Sequence, residues 1–272
     1  MLRNPRIKHL RHGDGPPLAF GSGPTTLLVY GSRIAFVRYE QTTHVLSVEL
    51  HCHSDHSYDG RDPVDELLEQ AATVGLDAVA VTDHDDIEGS LAAVERAPVY
   101  DLVGIPGIEI STAAGHVIGL GIESAVPPAL SFGETVARIH DAGGLVVVPH
   151  PFQELRHGVI ARVSRDELAT VDAIEVYNSR LLTGRANRQA RRFAREHDIP
   201  MTAGSDAHIA TMVGRAVTKV DPDEPTVEAI LTEIRQGRTV VEGHRTPWHV
   251  SARQFAGGVQ RRVARRLRGS GE

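Results

Sequence analysis

Residues 48–60 read VELHCHSDHSYDG, which sets His51, His53 and His56 among Glu49, Asp55 and Asp59, with Cys52 between the first two histidines. Such a run is either a metal cradle or a polar loop rich in histidine, and spacing begins to separate the two. LSVELHCH, residues 46–53, has the composition of a strand. Residues two apart on a strand share a face, so His51 and His53 project together and Cys52 points away as a packing residue. By the same alternation Glu49 is expected to face the interior, one layer below the two histidines.

Outward from this strand the chain falls into a rhythm of strands and helices. PVDELLEQAATVG, residues 63–75, opens on a proline, carries helical apolar spacing and closes on a glycine. LDAVAVTDH (76–84), DLVGIPGIEIS (101–111), GHVIGLGIE (115–123), LVVVPH (145–150), DAIEVYN (172–178) and IPMTAGSDAH (199–208) read as strands. Most are separated by helical segments, among them SFGETVARIHDAGG (131–144), the arginine-rich TGRANRQARRFAREHD (183–198) and TVEAILTEIRQG (226–237). This alternation predicts an α/β fold with a mostly parallel sheet, open or closed into a barrel. The 4% aromatic content requires a core of small and β-branched aliphatics. Residues 1–44 form an N-terminal extension or small hairpin around Gly31-Ser32, residues 45–250 the main domain, and residues 251–272 a basic tail.

Nearly every predicted strand ends in a potential metal ligand: His51 and His53, Asp83 and His84, Glu109, His150, Asn178, then Asp206 and His208. In a parallel α/β protein these ends share one face, where active sites are built. Ligands far apart in sequence therefore converge. Two pairs of the HxH and DxH type supply nitrogen and oxygen donors to a divalent ion, and a carboxylate such as Glu109 can bridge to a second.

The bulk properties agree with an enzyme of this kind and exclude others. A single cysteine rules out an internal disulfide and a multi-cysteine zinc site, and a formal charge of −6 does not mark a general nucleic-acid or membrane binder. Neither a signal-peptide core nor an 18-residue apolar run is found, so a cytoplasmic protein without a stable membrane partner is expected. No Gly-rich phosphate loop or GxSxG elbow occurs, which removes P-loop and serine-hydrolase chemistry.

Taken in order, HCHSDHSYDG, VTDHD, GIEIS, GHVIGLG, VVPHP, IEVYNSR and GSDAH closely resemble the PHP (polymerase and histidinol phosphatase) family of amidohydrolase-like phosphoesterases, over residues 47–243. The resemblance implies a distorted (β/α)7 TIM-like barrel with two to three divalent ions (Mn²⁺, Fe²⁺ or Zn²⁺) at the C-terminal ends of the strands. It assigns His51, His53, Glu109 and Asp206 to a first ion, and Glu109, His116 and His150 to a second. Asp59, His84 and His208 fall at a third position, where Asp59 replaces a frequent histidine and weakens the case for a permanent zinc. His56 lies between matched positions and is expected to be an exposed bystander. Asp55 is another, or else orients a ligand imidazole, and Asp83 is either such a partner or a turn former.

The implied reaction is attack of a metal-activated water on phosphorus, with Asp206 or His208 supplying the proton for the leaving alkoxide. Asn178, Arg180 and Arg156, in loops after two strands, are the expected phosphate-binding residues. The arginines of residues 183–198 read as a solvated face. Within the family, the resemblance favours a nucleotide substrate, either a nucleoside 3′,5′-bisphosphate or short RNA 5′ ends. Histidinol phosphate phosphatase, a repair-associated nuclease and a non-catalytic metal-dependent binding module are the alternatives. The basic tail is either a frayed end or a contact for RNA or an anionic membrane.

Overall fold

The computed structural model describes residues 25–30, 33–38, 45–153, 158–181 and 184–245. Arg156 and the basic tail at 251–272 lie outside the described residues. The chain divides into two compact units, residues 1–43 and 44–272. In the first, β1 (Thr25–Tyr30) pairs antiparallel with β2 (Arg33–Arg38) from Thr25↔Arg38 to Tyr30↔Arg33.

The second unit runs β3 (Leu46–Cys52), α1 (Val64–Thr73), β4 (Ala78–Val81), α2 (Glu88–Arg96), β5 (Val103–Gly104), β6 (Gly107–Ser111), β7 (His116–Leu120) and α3 (Phe132–Asp141). It continues through β8 (Leu145–Val148), α4 (Arg165–Leu168), β9 (Ala173–Asn178), α5 (Gly184–Glu196), β10 (Met201–Gly204), β11 (Ala216–Val220), α6 (Val227–Arg235) and β12 (Val240–Gly243). Local chemistry accounts for the helices. Helix α1 buries Val64, Leu67, Leu68 and Ala71, an i, i+3, i+4, i+7 stripe, with Asp65 and Glu66 in its first turn. It stops at Gly75, whose φ of 77° favours a residue without Cβ. Helix α3 begins where the Ser131 hydroxyl accepts the Glu134 N–H.

The α/β class expected from the sequence is present, but the strands form two five-stranded sheets, β10-β9-β8-β7-β6 and β12-β11-β3-β4-β5. No hydrogen-bonded ladder closes them into a barrel among the described residues. Four ladders are parallel and four antiparallel, so the sheet is less parallel than predicted. The mixture has two sources. GIEIS and GHVIGLG pair as a hairpin, β6 with β7, which leaves β7 antiparallel to β8 as well, and β11 and β12 add an antiparallel edge to β3. DLVGIPGIEIS, read as one strand, contributes β5 to one sheet and β6 to the other, with Pro106 between them.

Between the sheets, side chains take over the backbone groups that a ladder would use. Thr218 Oγ1 accepts from Ala203 N and donates to Ala203 O, and Glu49 Oε1 accepts from Ser205 N. Only at the C-terminal strand ends does backbone meet backbone across the gap. Asp206 N donates to His51 O at 2.8 Å and His53 N to Ala207 O at 2.8 Å, while Asp85 N donates to Glu109 O at 2.9 Å. The face carrying the predicted ligands is thus stitched together while the rest is packed by side chains. One core cluster joins both sheets through Val48, Leu50, Ala78, Leu120 and Val147, with Ile230 and Ile234 of α6 against it.

The register of β3 departs from simple alternation. Val48 pairs with Ala78 and Glu49 with Val79, but Cys52 pairs with Val81, so one extra residue is inserted between Glu49 and Cys52. This bulge puts Glu49 and Cys52 on the face of Val79 and Val81, opposite His51 and His53. The expectation that Glu49 shares the face of the two histidines is therefore corrected: its carboxylate accepts the backbone N–H groups of His51 (3.1 Å), Ser205 (2.9 Å) and Gly214 (3.0 Å).

Candidate metal centre

Glu109, at the middle of β6 and 1% exposed, is the hub of the strand-end face. Its Oε2 lies 3.2 Å from His51 Nε2, 3.2 Å from His53 Nε2 and 3.4 Å from His84 Nδ1. Its Oε1 lies 2.7 Å from His116 Nδ1 and 3.5 Å from His150 Nε2. One carboxylate has about four lone-pair directions, so five imidazoles exceed what it can bind as separate hydrogen-bond donors.

The remaining predicted ligands close round this hub. Four buried or nearly buried groups have ligand atoms within 4.8 Å of one another: His51, His53 and Glu109; His51, His150 and Asp206; His84, Glu109 and His116; and His53, Asp59, His84 and His208. All nine residues expected to bind metal are thus brought together: Glu109 Oε2 faces His51 and His53, whose Nε2 atoms lie 3.9 and 3.6 Å from Asp206 Oδ1, and Oε1 faces His116 and His150. His150 groups with His51 and Asp206, and His84 reaches both Glu109 and Asp59. His56 stays at the exposed rim.

The donor set fits divalent cations, on two observations. Nδ1 of both His53 and His150 is buried without a hydrogen-bond partner, so these rings are not held by a self-contained hydrogen-bond network. The His208 Nδ1–H donates to the Asp206 carbonyl at 2.9 Å, leaving Nε2 facing the Asp59 carboxylate at 2.9 Å, a pair that needs a proton or a cation between its members. Imidazole and carboxylate donors together suit first-row transition ions.

Two of these residues are held in left-handed backbone, His150 at φ 34° and Asp206 at φ 51°. Such conformations cost of order 1–3 kcal/mol and persist where neighbours fix them. Here the fixing bonds are His150 N to Glu175 Oε2 (2.9 Å) and Asp206 N to His51 O (2.8 Å).

Protonation follows the crowding. Burial opposes charge on His51, yet Glu109, Glu175 and Asp206 outweigh it and hold the imidazole well above its usual range. His116 is raised against burial by Glu109, whereas burial dominates at His53 and His84 and pushes both down. Burial would raise Glu109, but His84, His116 and His51 keep it well below the usual carboxylate range. Asp206 is likewise held low against burial, by Arg180 and then His51, and Asp59 by His208. Burial pushes Glu49 up to about 7, although three backbone N–H groups donate to it.

The supporting residues were harder to foresee. Glu175, on β9 and 2% exposed, accepts from His51 Nδ1 (2.9 Å), His150 N and Asn178 Nδ2 (2.9 Å), and was not singled out from the sequence. Its signal was present: a carboxylate inside the apolar run AIEVYN, three residues before Asn178. Asp83 accepts Ser54 N at 2.7 Å and Ser54 Oγ at 2.6 Å, and so fixes the loop leaving β3. Tyr58 stacks on His84 at 4.8 Å. Asn178 is fully buried, its amide donating to Glu175 and to Asp206 Oδ2 at 3.3 Å. Arg180 places Nη1 at 3.2 Å from Asp206 Oδ1 and 3.0 Å from His208 Nε2, while its Nε is buried without a partner.

The chain is similar to several known proteins. Residues 184–239 match the family described as PHP-associated. The uncharacterized protein MJ0417 of Methanocaldococcus jannaschii is 33% identical over 178 residues, 64% of this chain and 70% of that one. The phosphoribosyl 1,2-cyclic phosphate 1,2-diphosphodiesterase of Eggerthella lenta is 36% identical over 99 residues, 34% of this chain and 37% of the relative. A two-domain Bacteroides vulgatus protein containing a predicted PHP-like metal-dependent phosphoesterase has the same fold, with a TM-score of 0.65 at 20% identity. The match covers 74% of this chain and 65% of that one, somewhat less than two thirds of its length. With its motifs in order, its histidines gathered round Glu109 and these relatives beside it, the chain belongs to the PHP family.

Proposed function

We propose that this protein is a metal-dependent phosphoesterase that hydrolyses a phosphate ester on a nucleotide, either a nucleoside 3′,5′-bisphosphate or a short RNA 5′ end. The observation that carries the reading is Glu109 facing five imidazoles, three on one oxygen and two on the other. In this reading His51, His53, Glu109 and Asp206 would hold one cation, and Glu109, His116 and His150 a second. Asp59 and His208, with His53 and His84, offer a third position. We also read the two sheets as a strongly distorted (β/α)7 barrel. The diphosphodiesterase of Eggerthella lenta supports a phosphoester on a ribose-containing substrate.

When bound, the divalent ions would neutralise phosphate oxygens and acidify a water to near neutral pH. The chain supplies the rest. Arg180, its Nη1 held by Asp206 and His208, offers its unpartnered Nε to a phosphoryl oxygen as a charge-assisted donor. Asp206, kept ionised by Arg180 and His51, carries no proton to give to the leaving group. His208, whose Nδ1–H is held by the Asp206 carbonyl and whose Nε2 lies between Asp59 and Arg180, is the side chain placed to pass a proton to the leaving alkoxide. Glu175 and Asn178 hold His51 and Asp206 in place from beneath.

Purified protein loaded with Mn²⁺ and assayed on p-nitrophenyl phosphate, its diester analogue, adenosine 3′,5′-bisphosphate and histidinol phosphate tests the proposal. Turnover is expected to be fastest on the bisphosphate. Metal binding with no turnover on any of the four would overturn it in favour of a binding module.

A further inference from the structure

Helix α5 carries Arg185, Arg188, Arg191, Arg192 and Arg195 against one carboxylate, Glu196, in a chain whose net charge is −6. At 3.6 residues per turn these five arginines fall within an arc of about 120°, a single stripe on the helix. Its apolar edge, Ala190, Phe193 and Ala194, is buried, while Arg185, Arg188, Arg192 and Arg195 are exposed and Arg191 is half-buried. Arg192 pairs with Glu196 at 2.6 Å. Among the described residues Arg185, Arg188, Arg191 and Arg195 form no ion pair. Arg188, Arg191, Arg192, Arg195 and Glu196 line a concavity of about 440 Å³.

The stripe is anchored to the metal centre. Asn187, in the first turn of α5, accepts from Asn178 N at 3.2 Å and donates to Asn178 O at 3.1 Å, and the Asn178 amide reaches Asp206. The arginines therefore lead away from the strand-end face along one rigid helix. A mononucleotide needs no such track. From Arg185 to Arg195 the helix rises about 15 Å, long enough to meet several successive phosphates of one strand. Guanidinium groups at that spacing suit a repeating phosphate backbone.

We infer that the arginine stripe of α5 is an exosite for a single-stranded nucleic acid, which it holds so that one end of the strand lies at the metal centre. The inference deepens the phosphoesterase reading by making the substrate a polynucleotide, and the binding half of it stands independently of turnover.

The test uses the full chain loaded with Mn²⁺ and a fluorescent 20-nucleotide phosphorothioate strand, with binding followed by anisotropy from 50 to 300 mM salt. The variant is Arg188→Gln/Arg191→Gln/Arg195→Gln, which leaves the Arg192–Glu196 pair intact. Loss of three phosphate contacts is expected to flatten the plot of log K against log salt by about two units, at roughly 0.7 per contact. Turnover of p-nitrophenyl phosphate is expected to be unchanged. A control variant, Arg96→Gln/Arg138→Gln, is expected to bind as the parent does. Equal affinity and salt slope for the triple variant and the parent would overturn the exosite, as would polyglutamate of the same length binding as tightly as the strand. Strand binding lost in the variant, in a protein that turns over no phosphoester, would sustain the exosite and defeat the phosphoesterase reading alone.

Discussion

Glu175 Oε1 sits 2.9 Å from His51 Nδ1, and the other oxygen of the same carboxylate accepts His150 N–H. One buried side chain on β9 thus orients the His51 imidazole from β3 and fixes the backbone of His150 just beyond β8. Carboxylates behind ligand histidines fix the tautomer and typically contribute 10- to 100-fold in metal affinity or activity. Glu175→Gln is expected to lower Mn²⁺ affinity by that order while the protein stays folded, checked by metal titration beside circular dichroism. Unchanged affinity would remove Glu175 from the site.

Gly204, at the end of β10, has no room for a side chain: a Cβ there would meet His51 Cβ at 2.4 Å and Glu175 Oε1 at 2.6 Å. Gly204→Ala is expected to cost about 1–3 kcal/mol of stability and to reduce bound metal, read by denaturant titration and elemental analysis. Gly143→Ala separates this crowding from ordinary backbone strain. Gly143 has a φ of 77° and nothing within 4 Å of a Cβ, so its variant is expected to lose stability with metal content intact.

The contrast between Glu175 and His51 also shows how far the sequence was legible. Ligands at strand ends announce themselves by residue type and by the face on which such ends gather, so the convergence of His51, His84, Glu109, His150 and Asp206 could be read directly. Glu49 was misjudged because the alternation of a strand holds only while its register does, and the bulge before Cys52 is set by pairing with β4, which no local pattern encodes. The open sheets were hidden for a related reason: Thr218 and Glu49 replace ladder bonds by side-chain bonds with partners 15 and 156 residues away. Glu175 was overlooked because its partners are residues 124 and 25 positions off in sequence.

The protonation states give metal-free protein an opposed pH profile. His51 and His116 are raised above the unfolded value of about 6.5, so their contribution to stability is complete below that pH and is lost as pH rises through the folded values. Glu109, Asp59 and Asp206 are lowered, so theirs is present above about pH 4 and lost on acidification. Because a bound ion must displace the imidazole protons, the rise in melting temperature on adding Mn²⁺ to EDTA-stripped protein is expected to grow from pH 6 to pH 8. An increment that is flat or shrinks over that range would contradict metal binding through His51 and His116.

Arg180 tests the substrate side of the centre. Its Nη1 is committed to Asp206 and His208, whereas Nε is buried without a partner, so the residue has both an anchor and an unused donor. Lysine keeps the positive charge beside Asp206 but lacks the planar fork that presents a second donor to a phosphate oxygen. A hydrogen bond involving a charged group contributes about 1.5–3 kcal/mol, which converts to roughly a 10- to 100-fold fall in kcat/KM for Arg180→Lys. Metal stoichiometry, carried by the histidines and Glu109, is expected to hold. Arg180→Gln removes the charge as well, and with it the group that most strongly lowers Asp206, so a larger fall with an acid limb moved to higher pH is expected. The same kcat/KM for parent and Arg180→Lys would show that Arg180 serves Asp206 alone and leaves the phosphate to other groups.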